Sequence, residues 1–164
     1  MISQIEWSSG QFSRFQLLHH EVVCWRVVLD SLSNNEFELL FELLNDNEKV
    51  RAGAFVKSAD QRRYIAAHGV LRILLRKILG KDSYVITSNE YGKPQVANSQ
   101  VEFNLSHSGN LILIAFSINT PLGIDVEEVR NIGDIDSIAS HHFHPGEAQE
   151  ITSCQPNDAQ QAFF

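Results

Sequence analysis

Residues 101–127 read VEFNLSHSGNLILIAFSINTPLGIDVE, and this stretch sets the architecture of the chain. Residues 101–105 alternate apolar and polar side chains, which is the pattern of a strand with one buried face. Residues 106–109 are small and polar and predict a turn, whereas the apolar run 111–117 predicts a strand buried on both faces. After a proline, residues 122–127 predict a further strand, antiparallel to the one before it.

Two carboxylates, Asp125 and Glu127, lie two residues apart in the last of these segments. In a strand they share one face, with Ile124 and Val126 on the other. Oxygen ligands of this kind suit a hard divalent cation such as Mg²⁺. A solvated strand edge has the same pattern, so the pair alone leaves both interpretations open.

The rest of the chain predicts two strands and six helices. A hydroxyl residue followed three positions later by Glu or Gln predicts a capping box at Ser33 and another at Ser58. The predicted strands are 21–29 and 84–87, and the predicted helices are 34–45, 48–55, 59–79 and 134–142, one with Pro145 in its first position, and one starting at Pro156.

Charge is unevenly spread along the 164 residues. The net charge is −7, yet nine of the 13 Lys and Arg residues fall within 49–81, together with one acid, Asp60. An acidic protein with one basic stretch suggests an anionic ligand, although solvated helix faces would look the same. Nucleic acid is not the expected partner, because no aromatic platform accompanies the basic residues.

Several classes of protein are excluded or disfavoured by simple patterns. No apolar run approaches 18 residues, so we expect no membrane-spanning helix and no membrane partner. The start, residues 1–7, lacks the basic and apolar regions of a signal peptide. Cys24 and Cys154 match no disulfide or metal pattern. The expected location is therefore the cytoplasm.

Three short motifs occur in order, a turn lysine, a Ser-His segment and the carboxylate pair: Gly92-Lys93-Pro94, then residues 103–109, then residues 123–127. In this order and spacing they resemble the Sfp-type 4′-phosphopantetheinyl transferases. Residues 51–72, and Phe143 followed by Glu147, also resemble the family. The resemblance implies an α+β fold made of a pseudo-twofold pair of α+β halves with antiparallel sheets.

The activity implied by the resemblance is transfer of the 4′-phosphopantetheine arm of coenzyme A (CoA) to a serine of an acyl, peptidyl or polyketide carrier protein. The reaction is Mg²⁺-dependent and releases 3′,5′-ADP. By position, Asp125 and Glu127 correspond to the metal ligands and, with His107, to the catalytic residues. The residues that correspond to CoA contacts are Lys49, Arg51, Arg63, Lys93, Ser106 and His107.

The sequence departs from the family pattern at its end. The family has a W-x-x-K-E segment shortly after an F-F-type pair, and here Phe163-Phe164 are the last residues. We therefore expect an N-terminal half at 1–118 and an incomplete second half at 119–164, with weak or no transferase activity in the chain as written. The alternative is a non-catalytic fragment that at most binds CoA or ADP, or needs a second chain to complete the site.

Overall fold

The computed structural model describes residues 2–6, 17–130 and 133–154, which form two units, Met1–Val126 and Glu127–Phe164. The strands are β1 (Ile2–Glu6), β2 (Val22–Val28), β3 (Ile86–Ser88), β4 (Pro94–Val96), β5 (Val101–Ser108) and β6 (Leu111–Ile118). The helices are α1 (Asn34–Glu42), α2 (Asp46–Gly53), α3 (Ser58–Leu79), α4 (Ile135–His142) and α5 (Pro145–Ser153). None of the helices in the described part of the chain has the length and apolar character of a membrane span.

The first unit is built on a four-stranded sheet in the order β1-β2-β6-β5. Strands β2, β6 and β5 are antiparallel neighbours, while β1 runs parallel to β2. A second, two-stranded antiparallel sheet pairs β3 with β4. The α+β class with antiparallel sheets is therefore confirmed. The parallel strand β1 was not predicted, because a five-residue segment has too little pattern to reveal a distant partner.

One face of the larger sheet forms the core together with α1 and α3. Val23, Trp25 and Val27 of β2 are buried at every second position, as the period of a strand requires. The long helix predicted at 59–79 is confirmed as α3, and Tyr64, Leu71 and the other apolar positions along one side of it join the same core. This layer fixes the position of β5, which carries Ser106 and His107 of the candidate site.

Helix α3 crosses α1 closely at Gly69. A Cβ atom at this position would lie 2.7 Å from Leu40 Cβ and 2.8 Å from Leu40 O. Because the second of these atoms is backbone, the helices would have to separate to accept a methyl group. The glycine therefore sets how closely the two helices pack.

We predict that Gly69→Ala lowers the free energy of unfolding by about 2 kcal/mol, the typical cost of overpacking a core. The matched control is Gly53→Ala at the end of α2, where no atom lies within 4 Å of the added Cβ. That change should be neutral or stabilising by up to about 1 kcal/mol, because alanine favours a helix over glycine. Urea unfolding of both variants tests the prediction, and equal stabilities would contradict it.

Two predictions about helix ends were wrong. Helix α1 ends at Glu42 rather than 45, and a new helix begins after Asn45, which forms a capping box with Glu48. Helix α3 begins without a side-chain cap, so Ser58 is not a capping residue. Asp60 pairs with Arg63 instead, at 2.7 Å. The capping box at Ser33 and Glu36 is confirmed.

The second unit contains α4 and α5, packed around Ala139 and Ile151. Pro145 occupies the first turn of α5 and Glu147 completes its capping box, which confirms the predicted start of this helix. The predicted helix from Pro156 and the pair Phe163-Phe164 lie outside the described residues.

Candidate functional site

The Ser-His motif lies in a strand, not in the predicted turn. Strand β5 continues through Ser106, His107 and Ser108, because these residues pair with the first residues of β6, and the chain turns only at Gly109. Neighbouring strand residues project from opposite faces. Ser106 and His107 therefore point to different sides of the sheet.

Residues 122–126 lie beside β5 and are not a strand. Their side chains alternate as predicted, with Ile124 and Val126 half-buried and Asp125 exposed. However, the backbone amides of Ile124 and Val126 donate to the side chains of Asn104 and Ser106 at 2.9 and 3.2 Å. The predicted strand, and its pairing with the 111–117 strand, are therefore wrong: side chains of β5 hold the segment.

The Ser106 hydroxyl connects β5 directly to the first of the two carboxylates. Its Oγ donates to Asp125 Oδ1 at 2.6 Å while it accepts from the Val126 amide. This hydrogen bond, followed by one from the Val126 backbone, lowers the pKa of Asp125. Asp125 is thus an exposed, ionised carboxylate at neutral pH, held at a fixed place beside the strand.

Lys93 reaches the same segment from the β3–β4 turn. Its ammonium donates to the carbonyl oxygen of Leu122. The turn itself is ordered by Asn89, whose side chain accepts from the amides of Tyr91 and Lys93, and by Gly92 with a φ of +79°. Lys93, Ser106 and Asp125 are therefore brought together, with the charge of the lysine at one end of the segment and the carboxylate at the other.

The opposite side of β5 faces α3, where the Arg63 guanidinium is paired with Asp60 at 2.7 Å. Arg63 Nε donates to the carbonyl of Gly109 at 3.0 Å, which ties α3 to the β5–β6 turn. His107 lies exposed next to this turn, yet desolvation by its surroundings lowers its pKa, and the charge of Arg63 lowers it further. At pH 7 His107 is therefore a neutral imidazole next to a guanidinium, able to donate one hydrogen bond and to accept one.

The other two predicted CoA contacts lie on α2 and are engaged within the protein. Arg51 lies over the Tyr64 ring, 5.6 Å from its centroid. Lys49 pairs with Glu42 at 3.0 Å, so its ammonium points toward α1 rather than toward α3. Several other charges of the basic stretch also have partners. The stretch is thus partly neutralised, and Arg63, which contacts the β5–β6 turn, is itself paired with Asp60.

Glu127 belongs to the second unit, where its side chain is exposed. Within the described residues, no three His, Cys, Asp or Glu side chains form a group able to hold a metal ion. Asp125 by itself offers an ionised oxygen donor in an exposed position. That donor fits Mg²⁺, which is commonly bound through one or two carboxylates, substrate phosphates and water.

Two residues that the sequence analysis did not select contribute to this region. Asn104 holds Ile124, and its signal is the i,i+2 spacing to Ser106 within the alternating strand. Glu48 accepts from Arg72 Nε at 2.7 Å and lies 3.5 Å from His68 Nδ1, which secures α2 against α3. The Asn45–Glu48 spacing predicts only the cap, since Arg72 is 24 residues away.

Comparison with known proteins identifies the family. Residues 31–119 match the model of the "4′-phosphopantetheinyl transferase, N-terminal" family. The chain belongs to the 4′-phosphopantetheinyl transferase family. The match spans β3, β4, β5 and β6, and with them Lys93, Ser106 and His107.

Individual members of the family are similar over most of the chain. The chain is 34% identical to the 4′-phosphopantetheinyl transferase HetI of Nostoc over 154 residues, covering 90% of this chain and 65% of the relative. It is 26% identical to the transferase Sfp of Bacillus subtilis over 81% of this chain and 59% of the relative. For AcpT of Salmonella typhimurium the identity is 33%, covering 57% and 48%. The chain thus spans about half to two thirds of the length of these relatives.

Proposed function

We propose that this protein transfers the 4′-phosphopantetheine arm of CoA to a serine of an acyl, peptidyl or polyketide carrier protein, releasing 3′,5′-ADP. Membership of the transferase family and the charge arrangement around β5 support the proposal. One side with Arg63 and the neutral His107, and an opposite side with Lys93 and Asp125, flank one edge strand of the described sheet. An anionic ligand that passes over this edge reaches both sides.

The observation that supports CoA chemistry most directly is the Lys93–Ser106–Asp125 group. A pyrophosphate with a bridging cation needs a carboxylate for the cation and positive charge for the phosphate oxygens. Asp125 is exposed and ionised, and the ammonium of Lys93 is bound to the same short segment. We assign Asp125 as a metal ligand on this basis, and Lys93 as a contact to phosphate. We propose Glu127 as a second ligand from its position in the family motif.

The remaining assignments concern the nucleotide end of CoA and the group that accepts the proton of the carrier serine. We assign Arg63 and Arg51, with Lys49 at the margin, to the phosphate on the ribose and the adenine. His107 is next to Arg63 and neutral, so it can donate to a phosphate oxygen or accept the proton of the carrier serine. Ser106 stays a predicted CoA contact whose hydroxyl is shared with Asp125.

In the proposed reaction the serine oxygen of the carrier attacks the phosphorus that bears the pantetheine arm. The bond from that phosphorus to the bridging oxygen breaks, 3′,5′-ADP leaves, and the serine proton passes to a base. Magnesium, when bound, would supply charge neutralisation for the pyrophosphate oxygens. The residues of this chain contribute positioning and electrostatic stabilisation, which account for most of the rate in phosphoryl transfer.

The test is transfer itself. The protein is incubated with CoA, Mg²⁺ and either an apo acyl carrier protein or an apo peptidyl carrier domain, and the carrier is weighed by intact mass spectrometry. A gain of the phosphopantetheine mass that disappears with a chelator supports the proposal. CoA binding by calorimetry without transfer would favour the alternative, a binding module, and absence of both would contradict a role in CoA chemistry.

Lys93→Ala should weaken CoA binding about tenfold, because a charge-assisted contact to phosphate is worth roughly 1.5 kcal/mol. Calorimetry with CoA measures the effect. The control is Lys81→Ala, which removes an exposed lysine just past the end of α3 and should leave the affinity unchanged. Unaltered CoA affinity in Lys93→Ala would mean that this lysine is an ordinary turn residue and not a CoA contact.

The finer fold assignments also stay predictions. These are the pseudo-twofold pair of halves and the boundary between 118 and 119. We also propose a cytoplasmic location.

A further inference from the structure

The backbone of the segment that presents Asp125 forms hydrogen bonds with side chains. In residues 122–126, the Leu122 carbonyl and the Ile124 and Val126 amides all bond to side chains rather than to a neighbouring backbone. Two of these bonds come from β5 residues two apart on one face, Asn104 and Ser106. The two acceptor residues of β5 are two positions apart, and so are the two amides that donate to them.

Ser106 makes a second bond that Asn104 does not. Its hydroxyl accepts from Val126 and donates to Asp125 Oδ1 at 2.6 Å, so one side chain fixes both the backbone and the carboxylate. Asn104 accepts from Ile124 at 2.9 Å, on the other side of Asp125 in sequence. The carboxylate is thus bracketed by two anchored amides.

We propose that Asn104 and Ser106, here named the β5 clamp, are positioning residues that hold the backbone on both sides of Asp125 and orient its carboxylate. The effect of the clamp on magnesium binding rests on the proposed function, in which Asp125 is a magnesium ligand. The clamp itself exists without metal or CoA, because all of its bonds are between groups of the protein. Its role is to fix the carboxylate in advance, which avoids ordering the segment when the ligand binds.

Hydrogen exchange of single amides tests the clamp in the metal-free protein. In Asn104→Ala the Ile124 amide should exchange at least about fivefold faster, as expected for loss of one hydrogen bond, with a smaller effect at Val126. In Ser106→Ala the order reverses. Amides of the core strands should keep their exchange rates in both variants, which shows that the fold is intact.

Conservative variants separate positioning from simple loss of packing. Ser106→Thr keeps the hydroxyl and Asn104→Asp keeps the acceptor oxygen, so each should restore slow exchange. The carboxyl carbon resonance of Asp125 should move in Ser106→Ala and return in Ser106→Thr. The matched control is Glu102→Gln, on the same face of β5 two residues before Asn104, and it should change neither signal.

The last measurement is the magnesium concentration that gives half of the metal effect on CoA binding, which should rise about tenfold in Ser106→Ala and Asn104→Ala. Exchange that is unaffected by these variants would overturn the inference. Faster exchange with an unchanged Asp125 resonance and unchanged magnesium dependence would overturn the positioning role. A third outcome is that amide exchange and the Asp125 resonance respond to the variants as expected, while magnesium has no effect on CoA binding. That outcome would support the clamp and contradict the proposed metal site.

Discussion

We expect Glu48→Gln to lower the free energy of unfolding at pH 7 by about 3 kcal/mol. The Glu48 side chain is 14% exposed and accepts from Arg72 Nε at 2.7 Å and from the Asn45 amide at 2.8 Å. Burial would raise the pKa of Glu48, but hydrogen bonds from His68, Arg72 and Asn45 outweigh it and lower the pKa from 4.5 to about 2. A shift of this size corresponds to about 3 kcal/mol.

The pH dependence has a definite sign. Because the pKa of Glu48 is lower in the folded than in the unfolded state, its contribution is complete above about pH 5 and is lost as the pH falls through 4.5 toward 2. The gap between the wild type and Glu48→Gln should therefore shrink to less than half by about pH 3. Urea unfolding at several pH values measures this gap.

A control separates the charge from its position. Glu38→Gln removes an exposed carboxylate from α1 and should change the stability by less than about 0.5 kcal/mol at any of these pH values. If Glu48→Gln costs the same at pH 7 and pH 3, the loss arises from packing rather than from the ionised pair with Arg72.

The helices were the part of the fold that the sequence predicted best. The long helix α3 has an apolar stripe that repeats over many turns, and Gly80 ends it in the left-handed conformation expected past a helix. Such signals are local. The failure at Ser58 shows their limit: Lys57 takes the cap position without a side-chain bond, and Asp60 is used by Arg63.

Pairing between segments that are distant in the sequence was harder to predict. The polar residues of β5 suggested a turn, but pairing with β6 extends the strand through Ser108 and leaves those side chains at an exposed end. For residues 122–126 the alternation correctly separated Asp125 from Ile124 and Val126. The sequence could not show that side chains of β5, rather than a backbone ladder, would satisfy the amides of this segment.

In the candidate site, too, local features were predicted and contacts between distant residues were not. Residue types and the resemblance to the family indicated which residues could act chemically, and periodicity placed Asp125 on the side opposite Ile124 and Val126. It did not separate Ser106 from His107, because that separation depends on both being in one strand. It also did not select Asn104, a polar residue of an alternating strand whose importance appears only when its partner, Ile124, is known.

Asp125→Asn should reduce Mg²⁺-dependent transfer at least about 100-fold, the loss typical when a group that stabilises transition-state charge is removed. The substitution keeps the shape and an acceptor for the Ser106 hydroxyl but removes the negative charge that a cation needs. Since Asp125 is exposed, the stability should stay close to that of the parent. The effect is therefore chemical rather than structural.

CoA binding provides a measurement that does not require turnover. In the parent protein we expect Mg²⁺ to tighten CoA binding in calorimetry, and in Asp125→Asn that enhancement should fall to near one. The matched control is Asp82→Asn, an exposed carboxylate following α3, which should keep both the enhancement and the transfer rate of the parent. A parent-like magnesium effect in Asp125→Asn would remove this carboxylate from the metal site, and the role of ligand would then pass to other oxygen donors of the protein.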